Sequence, residues 1–275
     1  MIRRTKTGYS RWPPGAEIGD KKISDQNSIY LDPRHYDILA QITAPDDLPF
    51  YLRQAGLYGG PILALACGTG RVCLPLTKAG FEVSGLDASG PMLSYAKAKA
   101  DQNEVGLDLY HGDCREFDLA KKFKTIVLPY NSINHLVEIE SVAACLMAVG
   151  RHLDEDGRFI IDTFQPSLEF LGKDTSAPLH VVTYLDPDEK VKVVMTETSA
   201  YDHASQVNKV TWHYEIGGKE DALIHRMDMR IFFPQELDVL VRFCGFEIER
   251  KFGNYDESAF DSESPKQIMV CKLSG

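Results

Sequence analysis

Between Pro61 and Phe164 the chain alternates between short apolar runs and segments with helical apolar spacing. The runs are PILALA, FEVSGLD, VGLDLYHGD, KTIVLPY and RFIIDTF; the helical segments are RVCLPLTKAG, SGPMLSYAKAKADQ and the stretch 138–153. Strands that are apolar on both faces need cover on both sides, and strands separated by helices run parallel. The pattern predicts a doubly wound α/β sheet. Ser89 is placed to cap the second of these helices, and Gly80 to end the first.

The flanks differ. Residues 1–29 are polar, broken by Pro and Gly, and carry Arg3, Arg4, Lys6 and Arg11; they read as an N-terminal extension, mobile and without a core. From Asp32 to Ala55 the apolar spacing suits one or two helices broken near Pro45. Between His180 and Phe233, four β-rich segments separated by Asp-Pro-Asp, Asp-His-Ala-Ser and Gly-Gly-Lys read as an antiparallel meander. A helix at PQELDVLVRFCG and strands at FEIERKF and QIMVCKL close the chain. The division expected is an extension (1–29), a core (30–175 with 233–275) and an antiparallel β insertion (176–232) serving as a lid.

Charge narrows the partners. With 30 Lys+Arg against 40 Asp+Glu the formal net charge is −10, a surface that repels a phosphate backbone. No apolar run approaches the roughly 18 residues of a membrane span, and the N-terminal stretch has no apolar region of secretory type. None of the six cysteines forms a C-x-x-C pair, so free thiols in a reducing compartment are expected. No His, Cys, Asp or Glu spacing suits a metal. The expectation is a cytoplasmic enzyme or binding protein, monomeric or homodimeric, working without nucleic acid, membrane or metal.

The ligand signal sits where the first strand meets its helix. In doubly wound sheets, ligands bind beyond the carboxyl ends of the strands, and Gly68 and Gly70 of ILALACGTGR fall there. Glycine lets the backbone take positive φ and lets a ligand lie against the main chain. Asp87 ends the next strand, where a carboxylate can accept both hydrogen bonds of a ribose diol. Gly112-Asp113 ends the third strand, within reach of an adenine amino group. A dinucleotide site would prefer a third glycine where this chain has Cys73. An adenosine ligand without a pyrophosphate has no such requirement.

CGTGR, GLDAS-x-x-ML, GDCREF and LPYNSINHL, in that order, resemble the successive motifs of class I S-adenosylmethionine-dependent methyltransferases. The likeness is to the small-molecule branch that includes glycine and amino-sugar N-methyltransferases, and it runs from about Tyr30 to the C-terminus. The resemblance implies a seven-stranded mixed, Rossmann-like sheet closed by a reversed hairpin, and S-adenosyl-L-methionine as cofactor. It implies that Gly68 and Gly70 lie under the methionine part, that Ala66 offers its carbonyl to the amine and that Arg71 sits beside the carboxylate. Asp87 would take the ribose, Ala88 and Met92 would flank the adenine, and Asp113 with Cys114 would read its edge. Pro129 to Ser132 would pass the sulfonium, and Tyr36 with Tyr30 would close over the methionine end. The departure is Ala64, where the family usually has Glu or Asp.

Methyl transfer needs little beyond alignment in a dry pocket, and no catalytic triad is visible. The candidates are Tyr130, Asn131, Asn134 and His135 after the fourth strand; His135 has the pKa range for removing a proton from an amine or hydroxyl. Tyr30, Asn134, Arg226, Arg230 and Tyr255 are candidates for contacting the acceptor. Arg226 and Arg230 could take a substrate carboxylate or pair with surface acids. The function expected is methyl transfer to N or O of a small polar molecule. Ala64 leaves one alternative open, transfer or cyclisation of the aminocarboxypropyl group with release of methylthioadenosine; a second alternative is an inactive binder of adenosine ligands.

Overall fold

The computed structural model describes residues 28–172, 177–186 and 188–275. The basic cluster of the N-terminal extension lies outside the described residues. The chain forms α1 (Pro33–Thr43), α2 (Leu48–Tyr58), β1 (Ile62–Leu65), α3 (Cys73–Lys78), β2 (Val83–Asp87), α4 (Gly90–Gln102), β3 (Asp108–His111) and β4 (Phe123–Leu128). It continues with α5 (Ile139–His152), β5 (Leu153–Phe164), α6 (Leu168–Leu171), β6 (Leu179–Leu185), β7 (Lys192–Asp202), β8 (Val207–Ile216) and β9 (Lys219–Arg230). It ends with α7 (Pro234–Phe243), β10 (Phe246–Phe252) and β11 (Lys266–Leu273); short 3₁₀ turns occupy Ser28–Leu31 and Ser132–His135.

Seven strands form one sheet in the order β10-β11-β5-β4-β1-β2-β3. β1 to β5 pair in parallel, and β11 runs antiparallel to both β5 and β10. The sheet is the doubly wound mixed sheet expected. In β1, Leu63 and Leu65 enter one apolar layer with α5 and α7, while Ile62 and Ala64 enter the other with α2, α3 and α4. This alternation is the period of two that a strand imposes. On α5 the buried residues Val142, Cys145, Leu146 and Val149 recur at helical spacing, which fixes its face toward the sheet.

Local signals place the elements. Ser89 Oγ accepts from Met92 N at 3.3 Å, capping α4 as predicted, and Pro91 at its start needs no hydrogen-bonded N–H. Asp32 caps α1 through His35 N. α3 begins later than its sequence pattern suggests, at Cys73 rather than Arg71, because Thr69 and Arg71 are held in the preceding turn by Asp37 and Asp47. β5 starts earlier, at Leu153, with a register break against β4 that leaves residues 154–157 outside the regular ladder.

The second sheet, β6-β7-β8-β9, is antiparallel throughout. Its inner face packs Val182, Tyr184, Val193, Met195, Val210, Tyr214 and Met227 with Ile29 and Leu39. Ile29 is thus part of a core, although the polar composition of residues 1–29 put it in an extension: one apolar residue beside Tyr30 suffices to dock that turn.

Gly85, in β2, tests this packing. A Cβ there would stand 2.7 Å from Cys67 Sγ and 3.0 Å from Leu109 Cδ2. Gly85→Ala is expected to cost about 1–3 kcal/mol in urea unfolding, the usual range for overpacking. An unchanged midpoint would mean that the loop after β1 is not packed against β2 as described.

Candidate active site

The loop after β1 turns through positive φ at Ala66 (47°), Gly68 (55°) and Gly70 (79°). The two glycines do different work. A Cβ on Gly68 would meet only Tyr36 Cε1, at 4.0 Å, so its open side has room for a ligand against the backbone beneath Tyr36. A Cβ on Gly70 would meet Leu74 Cγ at 3.3 Å and Ala96 Cβ at 3.5 Å, so Gly70 lets the loop pack on α3 and α4. Ala66 is a non-glycine in the left-handed region, a conformation that costs of order 1–3 kcal/mol and marks a constrained site.

Asp87 organises the next part of the cleft. Its Oδ2 accepts from Gly68 N at 2.7 Å and its Oδ1 from Ser89 N at 2.8 Å. Burial raises its pKa above the usual carboxylate value, and the Ser89 and Gly68 amides pull it back. Each oxygen keeps a lone-pair direction beyond these bonds, which is what a vicinal diol would use. Ala88 is exposed at the rim, its carbonyl 2.9 Å from His111 Nε2. Met92 is fully buried in α4, so its side chain offers no surface to the cleft.

Asp113 is engaged by Arg115, whose Nε reaches Oδ1 and Oδ2 at 2.9 Å each. Burial works against its charge, but Arg115 outweighs this and lowers its pKa. A ligand reading Asp113 must share or displace that pair. Cys114 is half-buried and packs against the apolar layer that contains Cys145.

At the tip of β1, Arg71 makes a two-pronged bond with Asp47, at 2.6 and 2.7 Å, and its guanidinium lies 4.9 Å from the centre of the Tyr130 ring. Burial opposes this charge; the bonds to Asp47 more than offset it and raise the Arg71 pKa. Ala64 is completely buried among Phe50, Tyr51 and Ile160. The acid on that face of the sheet stands instead on β5. Asp162, fully buried, has Oδ1 2.8 Å from Lys266 Nζ, and its Oδ2 accepts from Tyr51 OH (3.1 Å), Tyr255 OH (2.5 Å) and Tyr130 N (3.0 Å). Asn131 N donates to the Asp162 carbonyl, and Asn131 Oδ1 accepts from Lys266 Nζ at 3.0 Å. Tyr130 and Asn131 both have positive φ, 53° and 60°, so this cluster holds a turn that their side chains disfavour.

The turn leads from buried Pro129, whose carbonyl accepts from Ser132, to His135. His135 Nε2 lies 2.7 Å from Tyr30 OH, with the rings edge to face at 5.5 Å, and Tyr30 lies 6.0 Å from Tyr36. Burial draws the His135 pKa down to about 4 and pushes Tyr30 and Tyr36 up. His135 Nδ1 is buried and has no hydrogen-bond partner among the described residues. An unpaired buried N–H is costly, which favours the tautomer with the proton on Nε2, donated to Tyr30, and a bare lone pair on Nδ1.

The depressed pKa has a sign to test. Folding holds His135 neutral, so its contribution is complete above the unfolded pKa of about 6.5 and is lost as pH falls toward about 4. The denaturation midpoint is expected to fall across that window, and less steeply in His135→Gln. Parallel pH profiles for the two proteins would contradict the assignment.

Other candidates have different surroundings. Asn134 is fully buried, donating to Arg230 O and accepting from Thr163 Oγ1, each at 2.7 Å; it ties the 3₁₀ turn to β5 and β9 and presents no surface to an acceptor. The buried Arg230 is held by Glu236 at 2.6 Å and Val137 O at 2.9 Å. Arg226 is exposed, on the side of β9 opposite His225 and Met227, and so is not brought to the cleft. Tyr255 is a buried wall behind Asp162 rather than a rim residue. Sequence reasoning missed Asp47, Tyr51, Asp162 and Lys266, whose partners are distant in the chain. The available signal is Asp162 within the apolar run FIIDTF of β5.

These features fit an adenosine ligand bearing a positive charge. Asp87 has an unused lone-pair direction on each oxygen and no ion-pair partner among the described residues, and Gly68 presents bare backbone. Residues 62–157 match the methyltransferase domain family. YqeM of Bacillus subtilis strain 168, a methyltransferase by assignment only, is 27% identical over 219 residues, 78% of this chain and 85% of its own. The dTDP-3-amino-3,6-dideoxy-alpha-D-glucopyranose N,N-dimethyltransferase of Streptomyces fradiae is 23% identical over 78% of this chain and 83% of its own. The fold is that of the CcbJ methyltransferase from Streptomyces caelestis, with TM-score 0.73 and 22% identity over 85% of this chain and 98% of that one. Taken with the ordered motifs and the sheet topology, these matches support a class I S-adenosylmethionine-dependent methyltransferase.

Proposed function

We propose that this methyltransferase acts on the nitrogen or oxygen of a small polar acceptor, and that His135 Nδ1 receives the acceptor's proton. The observation that carries the reading is the neutral imidazole with a buried, unpartnered Nδ1, beside the constrained Tyr130–Asn131 turn. Bound along the β1–β2 edge, S-adenosylmethionine supplies a sulfonium-activated methyl carbon open to in-line displacement. Gly68, Asp87 and the loop from Ala66 to Arg71 hold it, with Ala88, Asp113 and Cys114 toward its adenine end. Tyr30 and Tyr36 cover the cleft and exclude water; Tyr130 and Asn131 shape the face where the acceptor approaches. The second sheet closes over this face as a lid.

An amine acceptor agrees with the amino-sugar dimethyltransferase of Streptomyces fradiae and the cypemycin N-terminal methyltransferase of a Streptomyces species, 24% identical over 92% of this chain. The acidic net charge supports a small molecule over nucleic acid, and among the described residues no helix is long and apolar enough to cross a membrane. The reading includes a cytoplasmic monomer or homodimer. Its test is transfer of labelled methyl to a panel of small amines and hydroxy compounds. The best acceptor should lose about a hundredfold in kcat with His135→Gln, the usual scale for a missing general base, while S-adenosylhomocysteine affinity stays. An unchanged kcat would remove His135 from the chemistry.

A further inference from the structure

Glu197 of β7 pairs with Trp212 of β8, which pairs with His225 of β9. Directly opposed residues share a face of a sheet, and Trp212 belongs to the apolar layer with Tyr30, Tyr36 and Met227. Glu197 therefore stands on the inner face of the lid, the face that carries Tyr30 and, through it, His135. Its Oε2 accepts from Trp212 Nε1 at 2.8 Å. Among the described residues no Lys, Arg or His forms an ion pair with it, whereas Asp186 pairs with Arg34 at 2.9 Å and Asp221 with His213 at 2.9 Å.

Burial raises the Glu197 pKa, with the Trp212 hydrogen bond pulling the other way. A half-buried carboxylate without a cation is unfavourable unless something it binds supplies the charge. The electron-rich face of an indole attracts the same kind of group. Both features are on an inward wall.

We propose that Glu197 and Trp212 dock a positively charged nitrogen of the acceptor, making the preferred acceptors of this enzyme cationic amines. The inference rests on the cleft assignment above and adds the charge of the molecule that enters it. The docked nitrogen stays protonated and orients the acceptor; the methyl group goes to a second, neutral nitrogen or oxygen, whose proton His135 receives as the new bond to carbon forms.

The probe is cyclohexylamine, protonated at neutral pH, against its uncharged counterpart cyclohexanol. The chain has two tryptophans, so in a Trp12→Phe background emission reports Trp212 alone. Calorimetry with S-adenosylhomocysteine comes first: no binding there is a failure of the cleft assignment itself. With that ligand bound, the amine should change Trp212 emission saturably and at least about tenfold more tightly than the alcohol, some 1.4 kcal/mol. Glu197→Gln keeps an acceptor for Trp212 Nε1 but removes the charge, and should abolish the preference; Glu197→Asp should keep its direction. Equal binding of amine and alcohol, no saturation by the amine to tens of millimolar, or an undiminished preference in a folded Glu197→Gln would each overturn the proposal.

Discussion

Asp87→Ala is expected to weaken S-adenosylhomocysteine binding about a hundredfold or more, which is ~2.7 kcal/mol or greater. Two charge-assisted hydrogen bonds to a diol account for that on the usual scale of about 1.5–3 kcal/mol each. The substitution also leaves the amides of Gly68 and Ser89 without the acceptor they share. The loop after β1 and the start of α4 should therefore loosen together. Asp87→Asn separates the effects: it keeps the shape, retains one acceptor oxygen and turns the other into a donor facing an N–H. Its stability should lie between those of the parent and Asp87→Ala, while its affinity stays low. Calorimetry and urea unfolding on the three proteins check both, and parental affinity in folded Asp87→Ala would refute the ribose assignment.

The second large effect belongs to Asp162→Asn. Removing this charge leaves buried Lys266 without its counterion, beside neutral oxygens only, and an amide nitrogen at the Oδ2 position would face donors at Tyr51, Tyr255 and Tyr130 N. Breaking a buried pair from one side costs about 3–5 kcal/mol. The expected result is a loss of that size in unfolding free energy, with a larger relative fall in kcat than in cofactor affinity, since the Tyr130–Asn131 turn loses its anchor. Adding Lys266→Met should return part of the stability, because the orphaned charge is gone, but not the rate. A stable, fully active Asp162→Asn would show that the turn holds itself.

The sequence was most informative where physics acts over a few residues. Strand and helix periods fixed the alternation from β1 to β5, and Ser89 announced its helix because a cap and its N–H lie three residues apart. Gly68 and Asp87 could be recognised because each sits at the end of its own strand. The polar cluster behind them could not, since Tyr30 meets His135 across 105 positions and Tyr51 meets Asp162 across 111. Arg226 and Arg230 show the same limit. They share a side of β9 by parity, yet one is exposed and the other is buried against Val137 and Glu236, a difference set by where the strand meets the core. Ala64 looked like a missing acid; it lies in an apolar layer, and the buried charge on that face is carried by β5.

The motifs, the sheet topology and the relatives together support transfer of the methyl group of S-adenosylmethionine. The most direct measurement is the nucleoside left after incubation with the cofactor and a panel of small amines, resolved by chromatography. The expected product is S-adenosylhomocysteine, formed in step with a methylated amine and strongly reduced by Asp87→Ala. Methylthioadenosine in its place would contradict it, placing the attack on a different carbon of the sulfonium.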